Sequence, residues 1–299
     1  TDKYAQGYFF YDSKKSGGIT VSHLRFGDTP IRSSYLIDQA DFVACHNPSY
    51  VTKYDMISDL KDGGVFLLNS PWSLEDMDKH LPAKMKNMIA KKKIRFYNID
   101  AIKVVSEIGL GNRISTTMQA CFFKLANVID YAEADKHMKE FVVKSFSKKG
   151  EKVVNMNFAA IDNAIANLQE VHYPESWATT TDGAVVKPVT DDKYFNEIIA
   201  PILAQEGDKL PVSKFVDYAD GAVPTATTKF EKRGIAVKVP VWIKENCLQC
   251  NQCSFVCPHA CIIPVAQKAD ALANAPKTFD TVNMKNPKAK EYQFRVQVS

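Results

Sequence analysis

The chain has no apolar run near the roughly 20 residues needed to cross a bilayer, and its N-terminus lacks the basic, apolar, small-residue order of a secretory signal. It also has little net charge. Its 38 Lys and Arg against 34 Asp and Glu leave +4, too small a surplus to mark a nucleic-acid or membrane binder. No fixed-period repeat and no low-complexity tract interrupts it. These absences predict an ordinary soluble, cytoplasmic protein with neither nucleic acid nor membrane as partner. What is present, 299 residues of which 45% are apolar, suffices for a real core and about two domains.

Cysteine is scarce until the end of the chain. Of the seven cysteines, Cys45 and Cys121 sit in apolar surroundings (DFVACHN, MQACFFKL) and read as small buried hydrophobes. The other five crowd together near the C-terminus, which without a secretory signal points to metal ligation and not to a disulfide framework.

The N-terminal part alternates β-rich runs with helical patterns. Tyr8–Tyr11 and Ile19–Ser22, separated by KKSGG, predict two strands joined by a tight loop. Asp41–Cys45 predicts a short buried strand, and Pro48–Leu60 a helix with Val51, Tyr54, Ile57 and Leu60 near one face, ended by Gly63-Gly64 as a left-handed cap. Val65–Asn69 and Ile94–Ile99 read as strands and Leu74–Lys91 as mostly helical. That alternation predicts an α/β fold with a Rossmann-like, mostly parallel sheet. From Ile114, apolar residues at Met118, Cys121, Phe122, Leu125 and Ile129 repeat at helical spacing. Phe158, Ile161, Ile165 and Leu168 do so again, with Asn157 or Asp162 near that helix's start. After His172, Pro174, Pro188, Pro201, Pro211 and Pro224 punctuate a small irregular connector with one short helix near Phe195–Ala204. The expected divisions are 1–172, 173–240 and 241–299.

The run Cys247-x2-Cys250-x2-Cys253-x3-Cys257-Pro258 has the C-x2-C-x2-C-x3-C-P spacing of bacterial 4Fe-4S ferredoxins, in which short loops leave backbone N–H groups free to bond the sulfurs. A structural zinc site is the nearest competitor, but zinc usually takes two separated pairs, or a cysteine pair with histidines. In two-cluster ferredoxins the fourth cysteine of a run serves the other cube. Cys247, Cys250 and Cys253 then need a fourth ligand, and after Cys257 only Cys261 remains. Either Cys261 substitutes or the chain stops before the motif that completes both clusters.

Two turns attract anions in outline. Gly109-Leu110-Gly111-Asn112-Arg113 precedes the Ile114 helix, whose N-terminus offers unpaired N–H donors beside the Arg113 fork; without a full G-x-G-x-x-G, a plain helix-leading loop is an equally good reading. Asp12-Ser13-Lys14-Lys15-Ser16 places two cations on a turn after the first strand, and the alternative is a solvated hairpin tip. The basic stretch Lys84, Lys86, Lys91, Lys92, Lys93 and Arg95 reads as a solvated face. His46 follows a strand, where catalytic residues often sit, but no base or nucleophile pairs with it or with His23, His80, His137, His172 or His259. No catalytic residue is assigned.

Together these residues resemble the pyruvate:ferredoxin oxidoreductases. The resemblance is carried by YDSKKSGGITVSHLRFG, VACHNPSYV, LNSPWSLEDMDKHLP, IRFYNID, GLGNRI, GDKLPVS, FEKRG and ENCLQCNQCSFVCPHA, and extends over essentially the whole chain. It implies a parent enzyme that decarboxylates pyruvate on thiamine diphosphate with Mg and passes electrons through 4Fe-4S clusters to ferredoxin or flavodoxin. The acetyl group goes to coenzyme A. It implies a homodimeric parent with the thiamine regions outside this chain, so that the chain's partners are the remainder of the parent polypeptide or sister subunits. On the same ground Ser13, Lys14, Lys15, Asn112 and Arg113 are expected around coenzyme A, and Cys247, Cys250, Cys253 and Cys257 around iron. Residues 241–299 would be the first half of an α+β ferredoxin-like domain.

The family's second cysteine run is not found and the chain starts at Thr1, which favour an internal fragment; because the resemblance puts the thiamine-binding regions outside this chain, it is expected to be inactive on pyruvate by itself. A separate gamma- or delta-type electron-transfer subunit of another 2-oxoacid oxidoreductase, and a metal-free coenzyme A module, are the competing readings.

Overall fold

The computed structural model describes residues 3–12, 17–184, 190–231 and 239–298. The chain divides into two compact units, residues 1–232 and 233–299.

The first unit is built on a four-stranded sheet in the order β3-β4-β5-β6. Strands β3 (Ala40–Cys45), β4 (Leu60–Asn69) and β5 (Arg95–Ile99) run parallel, and the two-residue β6 (Gln169–Glu170) closes the edge antiparallel to β5. Every residue from Val65 to Asn69 is buried, as a central parallel strand covered on both faces must be. Alternation decides which side each residue serves. Phe66 and Leu68 join a core with Met77 of α1 (Leu74–His80) and with Met85 and Ile89 of α2 (Ala83–Lys91). Leu67 points the other way, toward α4 (Ser115–Ala126), α5 (Tyr131–Phe146) and α6 (Glu151–Asn167) through Met118, Cys121, Met138, Val142 and Ile161. Between β5 and α4 lies α3 (Ala101–Glu107). An antiparallel ribbon of β1 (Tyr4–Tyr11) and β2 (Thr20–Gly27) stands apart from the sheet, with the Phe26 ring 5.8 Å from Phe122 of α4. The α/β layering with a mostly parallel central sheet agrees with the alternation of the sequence.

Three local expectations fail for identifiable reasons. Pro48–Leu60 is no helix beyond a 3₁₀ stretch at Pro48–Thr52. The Asp55 carboxylate accepts from the N–H groups of Ile57 and Ser58 at 3.3 and 3.1 Å, and the Lys92 ammonium gathers the carbonyls of Ile57, Ser58 and Leu60 at 3.2, 2.6 and 2.6 Å. Those bonds spend the backbone groups a helix would use. Gly63 (φ +70) and Gly64 lie inside β4, where the register against β3 shifts, and so form a bulge and not a cap. Asn157 is not at a helix start: α6 begins at Glu151, and Asn157 is buried in mid-helix, donating to the Val153 carbonyl at 2.8 Å and accepting from Thr116 Oγ1 at 3.0 Å.

Beyond the sheet, Glu175–Ala178 makes a 3₁₀ turn that buries Trp177. Asn87 Nδ2 ties it to α2 through the Trp177 and Thr180 carbonyls, both at 2.9 Å. A π-type turn at Phe195–Ile199 then runs into the single-turn α7 (Ala200–Leu203).

The second unit is a three-stranded antiparallel sheet, β7 (Ile262–Lys268), β9 (Tyr292–Val298) and β8 (Val282–Asn283) in that spatial order. Phe294 and Val296 of β9 are buried, and the Trp242 ring meets Phe294 edge to face at 6.2 Å. Ahead of β7 lies the cysteine loop with the one-turn α8 (Gln252–Phe255). Among the described residues no helix is long and apolar enough to cross a membrane.

Candidate functional site

Two places carry the residues singled out by the sequence, one in each unit. In the first unit, α3 ends in a Schellman motif: Gly109 N–H bonds to the Ser106 carbonyl at 3.1 Å and Leu110 N–H to the Val105 carbonyl at 2.9 Å. Gly109 sits at φ +85, so its glycine character is explained by that cap. Gly111 (φ +69) faces open space, and Ser106 Oγ holds its carbonyl at 3.0 Å. The turn delivers Asn112 and Arg113, both exposed, to the start of α4. Among the described residues no side chain caps α4, whose first N–H groups have no intrahelical partner. Thr117 Oγ1, in the first turn of α4, is buried without a hydrogen-bond partner among the described residues. Among the described residues Arg113 makes no ion pair. Ser13, Lys14 and Lys15 lie outside the described residues.

In the second unit, Cys250 and Cys253 are exposed, and Cys247, Cys257 and Cys261 are half-buried. The loop is turned by three non-glycine residues in the left-handed region, Gln249 (φ +58), Asn251 (φ +60) and Ala260 (φ +51). Gln249 N–H points back to Cys247 Sγ at 3.4 Å. The turn is pinned to the β8 side of the sheet. Gln249 donates to the Asn283 carbonyl at 2.9 Å and accepts from Lys285 N–H at 2.7 Å, while Lys285 Nζ bonds the Cys247 carbonyl at 2.7 Å. The sequence did not single out Gln249 or Lys285; a glutamine between two cysteines has no pattern to announce its role.

Cys257 has its thiol lowered to about 7, first by the His259 backbone N–H and then by bonds from the Cys261 thiol and the Cys261 and Ile262 N–H groups. Cys261, whose sulfur lies 3.4 Å from that of Cys257, is raised, first by this contact and then by burial. Backbone donors converging on a sulfur are the environment a cluster-bound thiolate wants. The donor set thus fits an iron–sulfur group in kind. Its side chains are not gathered for one: among the described residues no three His, Cys, Asp or Glu groups converge as metal ligands.

Cys45 and Cys121 are shielded by comparison. Both are buried, and burial pushes each thiol up to about 12. We expect both to resist alkylation in the native chain at pH 8 while the loop cysteines react, and Cys121→Ala to cost about 1 kcal/mol in urea unfolding. Rapid labelling of either, counted by mass, contradicts this.

The family model described as pyruvate ferredoxin/flavodoxin oxidoreductase matches residues 1–167, more than half of the chain. The chain belongs to that family. A second family model, a domain of unknown function called EKR, matches residues 181–236. Among curated relatives of this oxidoreductase family, the chain is 56% identical over its whole length to the pyruvate:ferredoxin oxidoreductase of Moorella thermoacetica, covering 25% of that protein. It is 47% identical over 93% of its length to the pyruvate-flavodoxin oxidoreductase of Enterobacter agglomerans, covering 24%. It is 44% identical over its whole length to the mitochondrial NADP(+) pyruvate dehydrogenase of Euglena gracilis, covering 16%. The chain therefore spans a quarter or less of the length of these relatives.

Proposed function

We propose that this chain supplies coenzyme A binding and iron–sulfur ligation to a pyruvate:ferredoxin or flavodoxin oxidoreductase. The full reaction, oxidative decarboxylation of pyruvate to acetyl-CoA and CO2, would take its thiamine diphosphate and Mg from other parts of the polypeptide or from sister subunits. The observation that carries the reading is the C-x2-C-x2-C-x3-C-P spacing on a loop whose backbone turns N–H groups toward sulfur. Cys247, Cys250, Cys253 and Cys257 would hold iron, and the bound group would relay single electrons. Lys285 and Gln249 hold the first turn of the loop against the sheet.

Counting ligands sets the test. Two 4Fe-4S cubes need about eight thiolates, and the loop and its flank offer Cys247, Cys250, Cys253, Cys257 and Cys261. Reconstitution of the 299-residue chain with iron and sulfide under anaerobic conditions should give one labile cluster and no second, read by iron analysis and electron paramagnetic resonance. Absence of any iron uptake, or two stable clusters, overturns this assignment.

For coenzyme A, the uncapped start of α4 beside Asn112 and Arg113 is the anion-friendly feature, with Ser13, Lys14 and Lys15 assigned by resemblance. Because Arg113 stands in solvent, Arg113→Ala should weaken coenzyme A binding by about 1.5 kcal/mol, the low end for a bond to a charged group. Calorimetry of the full-length enzyme checks it. An unchanged affinity removes Arg113 from the site.

A further inference from the structure

We propose that Cys257 and Cys261 are a redox modification site, closing into a disulfide by exchange with a small-molecule disulfide of the glutathione type whenever Cys257 holds no iron. Their sulfurs are 3.4 Å apart and already in contact through a hydrogen bond. Closure to about 2.0 Å asks for a sulfur movement of about 1.4 Å, within reach of side-chain rotation. The loop between them is short and bent back on itself, with Ala260 at φ +51 and its N–H bonded to the Cys257 carbonyl at 3.3 Å. Cys261 is fixed from the other side, since Ile262 opens β7 and pairs with Val298 of β9. Both thiols are half-buried and so within reach of a small reagent, whereas Cys45 and Cys121 are closed off in the core of the first unit.

The step balances. One thiolate attacks the reagent disulfide, forming a mixed disulfide and releasing one reduced thiol. The second thiol, giving up its proton, attacks the protein sulfur of that mixed disulfide and releases the other reduced thiol. Two protein thiols are oxidised and one external disulfide is reduced. Cys250 and Cys253 are more exposed, yet no neighbouring thiol is held against either among the described residues, so they should stop at the mixed disulfide. The consequence for metal loading rests on the iron–sulfur reading above. Oxidation of the pair would withdraw both Cys257 and the one spare thiol from cluster assembly.

The test uses the 299-residue chain, purified anaerobically, stripped of iron with a chelator and equilibrated with mixtures of reduced and oxidised glutathione. Trapping by alkylation and peptide mass analysis should find Cys257 linked to Cys261, with the link forming at an oxidised-to-reduced ratio at least tenfold lower than glutathionylation of Cys250. In Cys261→Ser, Cys257 should instead carry glutathione. Alkylation of both Cys257 and Cys261 under oxidising conditions, or a link from either to Cys247, Cys250 or Cys253, overturns the proposal. In the second arm, the oxidised wild-type chain should take up iron and sulfide only after dithiothreitol has reduced the Cys257–Cys261 link. A chain that forms the link but never takes iron, reduced or oxidised, sinks the iron–sulfur reading and leaves the pair standing. A chain that takes iron and never forms the link does the reverse.

Discussion

Asp78→Ala should cost about 3 kcal/mol of stability, because it strands a buried ammonium. The Lys86 side chain is 1% exposed, and its Nζ bonds the Asp78 carbonyl at 2.8 Å and the Asp78 carboxylate at 3.1 Å. Trp177 Nε1 donates to that same carboxylate oxygen at 2.8 Å, and the ammonium lies 5.8 Å from the Trp177 ring. Removal of the carboxylate leaves the charge one backbone acceptor and the indole N–H none. The carboxylate itself is 56% exposed, which places the cost at the lower end of the range for breaking a buried pair. For a unit of this size the melting point should fall by about 6–12 °C. Lys86→Met combined with Asp78→Ala should recover most of the loss, since an unbranched apolar side chain fills the stem's space without a charge to strand. A fall under about 2 °C for the single change, or no recovery in the pair, refutes the account.

The same network gives a pH dependence. The Asp78 carboxyl is held below its ordinary value, chiefly by the bond from Lys86, with burial opposing and Trp177 assisting. A depressed carboxyl contributes stability that is fully present above its unfolded pKa of about 3.9 and is lost as pH falls through its folded value. Wild type should therefore lose part of its margin over Asp78→Ala only in acid, below the ordinary carboxylate range.

Lys86 shows where the sequence is legible and where it is not. The parallel strands could be read because β4 must be apolar on both faces, and Val65–Leu68 has that texture without help from partners. The basic stretch around α2 reads as solvated because charge usually is. Yet Lys86 falls between Met85 and Ile89 on the buried face, and its partners are eight and ninety-one residues distant in number, Asp78 and Trp177. Lys92 was likewise illegible: its ammonium replaces helix bonding in a segment thirty-odd residues earlier. Helix α5 leaves little trace in the sequence because only Ala134, Met138 and Val142 are buried along its sixteen residues, a stripe too narrow to stand out. At the candidate sites the cysteine spacing was local and so readable. The contact of Cys257 with Cys261 depends on the bend at Ala260, which no residue type in that loop advertises.

Asn69→Ala should cost about 3 kcal/mol, as much as emptying a small part of the core, though it removes no apolar surface. Asn69 ends β4, fully buried, and its two polar atoms satisfy two different elements: Nδ2 donates to the His46 carbonyl just past β3 at 2.9 Å, and Oδ1 accepts from the Ala101 N–H that begins α3 at 3.0 Å. Alanine leaves both backbone groups unpaired at about 1–3 kcal/mol each. The neighbouring Ser70–Asn98 pair cannot replace it, because Ser70 Oγ, Asn98 Oδ1, Asn98 Nδ2 and the Ser70 carbonyl already satisfy one another at 2.8 and 3.1 Å. Asn69→Asp separates the two bonds. As a carboxylate it still accepts from Ala101 but repels the His46 carbonyl and is buried, so its folded pKa rises above the unfolded value of about 3.9. The penalty is then largest at neutral pH and eases as acid protonates the group and restores a donor. Urea unfolding at pH 5 and pH 8 should show Asn69→Asp nearer to wild type at the lower value, with Asn69→Ala equally impaired at both. Helix α3 leads directly into the Gly109–Arg113 turn. On the coenzyme A reading proposed above, with the strand-end amide positioning that turn through α3, Asn69→Ala in the full-length enzyme should also weaken coenzyme A binding, and a loss of stability with unchanged coenzyme A affinity confines Asn69 to the fold.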